Sequence, residues 1–272
     1  ADGHKLLGIA YSTIGKLDEA AEVYRKWMEQ QPDNPLARHH YAACSGKNVP
    51  DRAGDDYIEQ SFDAFSTSFE EQLKVKLSYK APELIVAALQ NHLPPAAKQF
   101  EILDAGCGTG LCGPLVSAYA KRLTGVDLSI GMLQKAEGKE CYDQLIKAEL
   151  TTFLNSSEQT ASWDIIISAD TLCYFGPLES VSAAARNALR PGGLLVFSVE
   201  DGEERALPLG HVLNPHGRYA HDAGYVRTCL NEAGFTVLSI EGATLRNEGG
   251  KPVLGLVVVG QAKVKKSTYD LS

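Results

Sequence analysis

The sequence has little positive charge and no long apolar run. Its 272 residues carry 26 Lys and Arg against 34 Asp and Glu, a net charge of −8, and its basic cluster is Lys263, Lys265 and Lys266 near the C-terminal end. This balance argues against a nucleic-acid-binding surface, which needs a basic stripe. No stretch approaches the ~18 apolar residues of a membrane span. We therefore expect neither a nucleic-acid partner nor a membrane.

The sequence also lacks cysteine pairs. Its six cysteines are scattered, with no C-x-x-C pair and no Cys/His set at zinc spacing. This pattern predicts reduced thiols, a cytoplasmic protein and no metal site. The start, ADGHKLLGIA, lacks the basic region and long apolar core of a signal peptide. The length exceeds a typical ~100–150-residue domain and predicts one large domain plus a smaller one.

The most informative stretch that is present runs from Gln99 to Pro114, QFEILDAGCGTGLCGP. A short apolar run leads into Asp104, and glycines follow at positions 106, 108, 110 and 113. This order predicts a buried strand, a tight turn and a helix that begins near Leu111. Glycine lets a ligand approach the main chain closely, and a helix N-terminus offers free N–H groups to an anion. The stretch therefore predicts a loop for a nucleotide-type cofactor.

The loop alone leaves the cofactor open. Gly108, Gly110 and Gly113 also fit the G-x-G-x-x-G pattern of dinucleotide-binding proteins, with Asp127 about 20 residues further on. Asp127 ends a second predicted strand, where an acid can hold a ribose diol through two charge-assisted hydrogen bonds. Its alternative role is the N-cap of the helix that follows.

Four segments in order resemble the class I S-adenosylmethionine (SAM)-dependent methyltransferases. They are LDAGCGTG (103–110), GVDLSIGML (125–133), WDIIISADTLCYF (163–175) and LRPGGLLVFSVE (189–200). A dehydrogenase would share only the first two. It would also usually place its glycine loop near the chain start, whereas about a hundred residues precede the loop here.

The resemblance implies SAM as the cofactor and assigns residues to it. Gly106, Gly108 and Gly110 would carry the methionine part, and Asp104 would meet its ammonium group. Asp127 would take the ribose hydroxyls. The residues around the adenine would be Leu128, Met132, Glu149 and Leu150, although Glu149 is equally open to a role as an acid at the start of a helix.

Strand–helix alternation from Phe100 predicts an α/β fold with a mostly parallel, Rossmann-like sheet covered on both faces. We expect seven strands, at 100–104, 122–126, 144–148, 164–168, 194–200, 235–241 and 253–261. The last two follow each other across a short turn from Gly242 to Lys251, which fits the antiparallel last strand of the methyltransferase sheet. We assign this domain to residues 99–272.

Residues 1–46 resemble the 34-residue tetratricopeptide (TPR) repeat. The matching positions are Leu7, Gly8, Tyr11, Ala20, Tyr24 and Pro32. Gly15 is expected to form the turn between two helices, Asp18 to cap the second, and residues 34–46 to begin another repeat. His4 replaces the usual Trp, and Trp27 stands where a small residue is usual. Because about three repeats are needed for independent stability, either this segment leans on the catalytic domain or further repeats precede it.

Residues 47–98 are predicted to form a linker and a helical lid. Lys47 to Gly54 is polar, and an apolar pattern follows at Tyr57, Phe62, Phe65, Phe69, Leu73, Leu77 and Tyr79. This pattern predicts either an amphipathic helix pair packed on the sheet or a lid whose Phe62, Phe65 and Tyr79 close on the cofactor. Pro82 should begin a helix that extends to Asn91.

Two stretches are candidates for the acceptor site. Asp170, after the fourth strand, occupies a position that carries catalytic side chains in many methyltransferases. The N/D-P-P-Y/F motif of the adenine- and glutamine-amino methyltransferases is missing there. The second stretch is an insertion at 201–224, which should cap the carboxyl ends of the strands. We expect His216 or His221 as general base, and Arg218 and Tyr219 as acceptor-binding residues, with Arg218 pairing with an acidic group.

The sequence thus predicts a cytoplasmic enzyme that transfers a methyl group from SAM to oxygen or nitrogen of a small molecule. One alternative is methylation of a protein partner that the TPR segment recruits. Another is an inactive SAM-binding adaptor, and self-association through the TPR segment stays open. The insertion at 201–224 has its own alternative, an exposed polar loop without a role.

Overall fold

The computed structural model describes residues 2–65, 78–202 and 207–264. Within these ranges nine strands form one sheet. They are β1 (Phe100–Ala105), β2 (Ala120–Asp127), β3 (Gln144–Lys147), β4 (Trp163–Ser168), β5 (Leu189–Asp201), β6 (His211–Leu213), β7 (Tyr219–His221), β8 (Phe235–Glu248) and β9 (Lys251–Ala262).

Ten α-helices lie in the same ranges. They are α1 (Asp2–Thr13), α2 (Leu17–Gln30), α3 (Pro35–Ser45), α4 (Asp55–Phe65), α5 (Ala81–Gln90), α6 (Gly113–Val116), α7 (Ile130–Glu137), α8 (Leu150–Asn155), α9 (Glu179–Ala188) and α10 (Ala223–Glu232). Two short 3-10 helices cover Ser157–Gln159 and Leu172–Tyr174. Among these helices none combines the length and apolar character that a membrane crossing requires.

The sheet is mostly parallel, with an antiparallel strand near one side. Strands β3, β2, β1, β4 and β5 run parallel in that order, and β9 then pairs antiparallel with both β5 and β8. Neighbouring residues of β1 belong to two hydrophobic cores, one on each face of the sheet. Leu103 packs with α9 and α10, and Ile102 packs with α5. Because strand side chains alternate between faces, both faces of the sheet are buried.

The seven predicted strands are all present, with two corrections. The last two are longer than predicted, so their turn shrinks to Gly249 and Gly250, which both have positive φ. The predicted insertion contributes a short hairpin, β6 and β7, and β7 pairs with the end of β5. Strands of three residues are too short to show a period-2 alternation, and for that reason the pattern missed them.

The helix after the glycine loop begins two residues later than predicted and is short. It begins at Gly113 and has four residues, whereas a start near Leu111 was expected. Pro114 lies in its first turn, where the missing proline N–H costs nothing. The chain reaches β2 after only a few residues, so this helix offers a smaller N-terminal binding surface than the sequence suggested.

The N-terminal segment is a helical hairpin followed by a third helix. Gly15 turns the chain with φ 78°, and Gly8 lies so close to α2 that a Cβ there would stand 2.3 Å from the Tyr24 ring. Asn34 caps α3 by accepting a hydrogen bond from Ala37 N (3.1 Å). The prediction for Asp18 is wrong: it lies inside the first turn of α2, where its charge favours the helix dipole.

The predicted linker is firmly attached to the sheet domain. The backbone N–H of Ala53 donates to Tyr174 O (2.8 Å), and Gly176 N donates to Asp51 O (2.8 Å). The hydroxyl of Tyr219 donates to Pro50 O. Helix α3 also contacts the inserted hairpin, with His39 Nε2 2.8 Å from Gly217 O. The N-terminal helices therefore lean on the sheet domain through the insertion.

The segment predicted to form a lid lies only partly within the described residues. Helix α4 carries Phe62, and Tyr79 precedes α5. The rest of the predicted lid pattern lies outside the described part of the chain: Phe69, Leu73, Leu77 and the side chain of Phe65.

Candidate functional site

A cavity of about 560 Å³ lies at the carboxyl ends of β1, β2, β3 and β4. On one side it is lined by the glycine loop and the strand ends. On the other side it is lined by α1–α4 and the inserted hairpin. In an open α/β sheet this edge is where ligands bind. The predicted cofactor loop and the predicted lid residues Phe62 and Tyr79 therefore face one shared space.

The glycines of the loop have different surroundings. Gly106 (φ 74°) lies against Thr171, whose Oγ1 would be 2.1 Å from an added Cβ. Gly108 (φ 54°) lines the cavity, and an added Cβ there would meet nothing within 4 Å. Gly110 does not line the cavity; it packs against Tyr142 and Ala136. The prediction that Gly110 contacts the cofactor is corrected, because its side of the loop faces helix α7.

Asp127 ties the glycine loop to the end of β2. Its Oδ2 accepts a hydrogen bond from Gly108 N and its Oδ1 accepts one from Ser129 N, both at 2.9 Å. Ser129 is the N-cap of α7, accepting from Met132 N (3.1 Å), so the alternative role for Asp127 is excluded. Burial raises the pKa of Asp127, while the two N–H groups oppose that rise. The carboxylate is partly exposed and lines the cavity.

Asp104 is the second acid on this side. It is 1% exposed and accepts a hydrogen bond from the Tyr142 hydroxyl at 2.6 Å. Burial raises the pKa of Asp104 to about 7, the Tyr142 hydrogen bond lowers it, and the charge of Asp127 raises it further. A cation placed beside it would stabilise the ionised form, as an ammonium group would.

Leu128, Met132, Glu149 and Leu150 all line the same end of the cavity. Glu149 is also the N-cap of α8, since its carboxylate accepts from Thr151 N (2.9 Å) and Thr152 N (2.7 Å). Glu149 therefore caps α8 and also lines the cavity, and its contact with an adenine stays a prediction. Arg52 Nε lies 3.9 Å from the same carboxylate.

A cluster of five charged side chains lies beside the inserted hairpin, and we call it the charge cluster. Its members are Asp170, Glu200, Arg218, Arg246 and Glu248. Arg218 Nε donates to Glu200 Oε1 (2.7 Å), Arg246 Nη1 to Asp170 Oδ2 (2.7 Å) and Arg246 Nε to Glu248 Oε1 (2.8 Å). Arg218 also pairs with Glu248, and Arg246 with Glu200.

The charge cluster corrects two predictions. Arg218 lines the cavity, but two carboxylates of the protein already pair with its charge, so it is not an open partner for an acidic acceptor. Asp170 also lines the cavity, with its carboxylate engaged by Ser198 Oγ (2.9 Å) and Arg246. It is therefore not a free base. The sequence reasoning missed Arg246 and Glu248, whose i,i+2 spacing on one face of β8 was the available signal.

His216 reaches the cavity and contacts a buried acid. Its Nε2 lies 3.3 Å from Glu200 Oε2, and 41% of its side chain is exposed, whereas Glu200 is almost fully buried. Burial within the site lowers the pKa of His216, although Glu200 raises it. The imidazole is therefore neutral near pH 7 and able to accept a proton.

His221 and Tyr219 do not reach the cavity. His221 is fully buried, with Nε2 2.9 Å from Gly176 O, and its ring stacks on Tyr225 at 6.2 Å. Tyr219 is 1% exposed, and its hydroxyl donates a hydrogen bond to Pro50 O. The predicted catalytic role of His221 and the acceptor-binding role of Tyr219 are therefore wrong. Both lie on β7, where they fix the hairpin and the linker.

No group of three or more metal-binding side chains occurs in the part of the chain that the structure describes. All six cysteines are free thiols. The loop and the two acids do fit SAM: Gly108 leaves open space, and Thr109 Oγ1 is a buried cavity-lining atom with no hydrogen-bond partner among the described residues. The carboxylate of Asp127 suits the ribose diol of SAM, and that of Asp104 suits its ammonium group.

The strand order is that of the Rossmann-like fold of class I SAM-dependent methyltransferases. Residues 103–197 match the family model described as a methyltransferase domain. A SAM-dependent methyltransferase structure from Mesorhizobium loti is similar, with a TM-score of 0.51 and 24% identity, over 64% of this chain and 96% of that chain.

Two curated proteins are similar in sequence. Ubiquinone biosynthesis O-methyltransferase of Albidiferax ferrireducens is 28% identical over 140 residues, covering 48% of this chain and 55% of that protein. Methyltransferase-like protein 27 of Homo sapiens is 28% identical over 173 residues, covering 63% of this chain and 68% of that protein. The chain spans about half the length of the first of these relatives.

Proposed function

We propose that this protein is a SAM-dependent methyltransferase that methylates a small-molecule acceptor on oxygen or nitrogen. The observation that carries this proposal is the shared cavity. The glycine loop, Asp104 and Asp127 line one end of it, and the other end is lined by His216 and by four members of the charge cluster, Asp170, Arg218, Arg246 and Glu248. A donor at the first end and an acceptor at the second would lie within one space.

Asp127 would accept hydrogen bonds from the ribose hydroxyls, and Asp104 would pair with the ammonium group. Leu128, Met132 and Leu150 would surround the adenine. SAM carries the methyl group on a sulfonium sulfur. When the methyl group is transferred, the rest of SAM leaves as a neutral thioether. The protein's task is then mainly to hold the reactants in line, which can contribute ~7–11 kcal/mol to the barrier reduction.

His216 is the proposed general base for a hydroxyl acceptor. If its Nε2–H donates to Glu200, Nδ1 is left to accept the acceptor's proton. Glu200 would fix this tautomer, because Arg218 and Arg246 hold its other oxygen. The relative from Albidiferax ferrireducens is named an O-methyltransferase, which favours oxygen over nitrogen.

We propose that residues 1–46 are one TPR repeat and the first helix of another. The close approach of Gly8 to Tyr24 and the full burial of Ala20 and Ala37 support it. The lid and linker at 47–98 and the methyltransferase domain at 99–272 complete the proposed division. Six free thiols fit a cytoplasmic protein. Because α1–α3 wall the cavity, a small acceptor fits better than a protein presented by the repeats.

The test is to incubate the purified protein with methyl-labelled SAM and a cell extract separated into small-molecule and protein fractions. We expect label in the small-molecule fraction, with an Asp127→Ala variant as the control for cofactor-dependent transfer. Label confined to the protein fraction would replace the proposed acceptor class. Equal labelling by the variant and the wild type would contradict the proposed cofactor site.

A further inference from the structure

We propose that the N-terminal helices form one wall of an acceptor chamber, and that this chamber takes an uncharged aromatic hydroxyl compound of the phenol type. The chamber is the part of the cavity between α1–α4 and the charge cluster. This inference rests on the proposed function and names its substrate class. The helices would then select the small acceptor, a role different from recruiting a protein.

The chamber wall comes from residues far from the cofactor segments. Ile9 of α1, Tyr24 of α2, and Leu36 and His40 of α3 line the same cavity as the glycine loop. Tyr24 and Leu36 are buried, so the helices close the space from outside. The hydrogen bond between His39 and Gly217 O fixes α3 beside the turn that carries His216. The wall is therefore held at a set position relative to the proposed base.

The wall is rich in aromatic rings. Tyr24 stacks on His40 with ring centroids 5.2 Å apart, and Tyr57 stacks on His39 at 3.9 Å. Phe62 of α4 meets Tyr174 edge to face, at 5.6 Å and 89°, and both residues line the cavity. Flat aromatic molecules pack well in such offset and edge-to-face surroundings. These rings favour an aromatic acceptor over a flexible aliphatic one.

The charges around the chamber are compensated within the protein. Arg218 and Arg246 line it and pair with Asp170, Glu248 and the buried Glu200. Arg52, which also lines the cavity, pairs with Asp55 at 2.6 Å. Lys5 of α1 adds one positive charge, which offsets the net negative charge of the charge cluster. These arginines are already paired, so a second anion would have to displace a carboxylate of the protein. A charged acceptor would enter this space without a compensating partner, which is unfavourable. An uncharged acceptor meets no such cost.

The polar groups left for the acceptor suit a hydroxyl. His216 opens to the chamber with Glu200 behind it, so an O–H proton has an acceptor there. At the far wall His40 Nδ1 is buried and has no hydrogen-bond partner among the described residues. A ring with one hydroxyl at His216 matches this distribution of a few polar points in an apolar, aromatic space.

The experiment is calorimetric titration of the full chain, loaded with S-adenosylhomocysteine, with three matched phenols. They are p-cresol (uncharged), 4-hydroxybenzoate (anionic) and tyramine (cationic). We expect p-cresol to bind at least about tenfold more tightly than either charged phenol. Tighter binding of a charged phenol, or no binding of p-cresol, would overturn the inference. If S-adenosylhomocysteine itself does not bind, the proposed function fails first.

Two variants locate the chamber. Ile9→Trp should fill it and weaken p-cresol binding about tenfold or more, while leaving S-adenosylhomocysteine affinity unchanged. Ile14→Trp is the matched control, because Ile14 is 67% exposed and does not line the cavity. Glu248→Gln removes one negative charge and should shift the preference towards 4-hydroxybenzoate. Unchanged p-cresol binding in Ile9→Trp, or an unchanged preference in Glu248→Gln, would contradict the proposal.

Discussion

Asp127 illustrates how one side chain can organise a binding loop. Its two oxygens accept from Gly108 N and Ser129 N, so it joins the glycine loop to the helix start after β2. Each carboxylate oxygen has more than one acceptor site. The same carboxylate can therefore keep its backbone partners and still receive two hydroxyl groups from a ligand.

Replacing Asp127 with Ala should weaken S-adenosylhomocysteine binding about a hundredfold, because hydrogen bonds to a charged acceptor at ~1.5–3 kcal/mol each are lost. Calorimetry measures the change. Asp143→Ala is the matched control, since Asp143 also accepts from a backbone N–H, that of Leu123 (2.7 Å), and does not line the cavity. Equal affinities in both variants and the wild type would remove Asp127 from the site.

Asp104 should make both stability and binding depend on pH. Its pKa in the fold, about 7, lies above its ordinary value of 3.8, so the folded state holds a proton that the unfolded state releases between about pH 4 and 7. Its contribution to the free energy of unfolding therefore falls as pH rises through that window. An ammonium group favours the ionised carboxylate, so S-adenosylhomocysteine binding at pH 6 should release a proton and tighten towards pH 8.

Calorimetry at pH 6 in buffers of different ionisation enthalpy measures the proton release, and Asp104→Asn should abolish it. Tyr142→Phe removes a hydrogen bond that lowers the pKa of Asp104, so it should move the pH dependence upwards. Proton release of the same size in wild type and Asp104→Asn would show that another group is responsible.

At the scale of elements, the β6–β7 hairpin carries two kinds of side chain within a few residues: some line the cavity, and others are buried and hold the fold together. Its turn presents His216 and Arg218 to the cavity, whereas Tyr219 and His221 on β7 are buried and hold the linker and Gly176. The sequence predicted a dense set of polar rings over the acceptor site. It could not say which rings face the cavity, because that depends on the pairing of β7 with β5 across a long connection.

Paired substitutions in this hairpin test the separation. His216→Ala should lower the maximal rate of a hydroxyl acceptor by ~10²–10⁴-fold and leave stability nearly unchanged. His221→Ala should instead reduce the free energy of unfolding by about 1–3 kcal/mol, because Gly176 O loses its buried partner. Rate measurements and denaturant unfolding of both variants check this. A rate loss in His221→Ala without a loss of stability would reverse the assignment.

At the same scale, the strands were predictable and the charge cluster was not. Apolar runs such as Ile165–Ile167 mark buried parallel strands without reference to the rest of the fold. The glycine loop and Asp127 were predictable because their spacing is local. Arg246 pairs with Asp170 and Glu200 from 76 and 46 residues away, so its partners become visible only when β5, β8 and the loop after β4 meet.

At the scale of the whole molecule, the N-terminal helices and the sheet domain share one cavity. The sequence placed the TPR-like segment, at 1–46, and the first cofactor motif, at 103–110, far apart along the chain and suggested no common space. The contacts of α3 with the inserted hairpin bring them together: Ala42 and Ala43 pack on Leu213 and Tyr219. The walls of the cavity therefore come from both parts of the chain.

The most direct measurement for the whole account is calorimetric titration of the full chain with S-adenosylhomocysteine and, separately, with NADH. Both ligands suit a glycine loop followed by an acid at the end of the second strand, and the two classes of enzyme are distinguished by which one binds. The account predicts saturable binding of S-adenosylhomocysteine at one site per chain and no binding of NADH. Saturable NADH binding with no response to S-adenosylhomocysteine would contradict it.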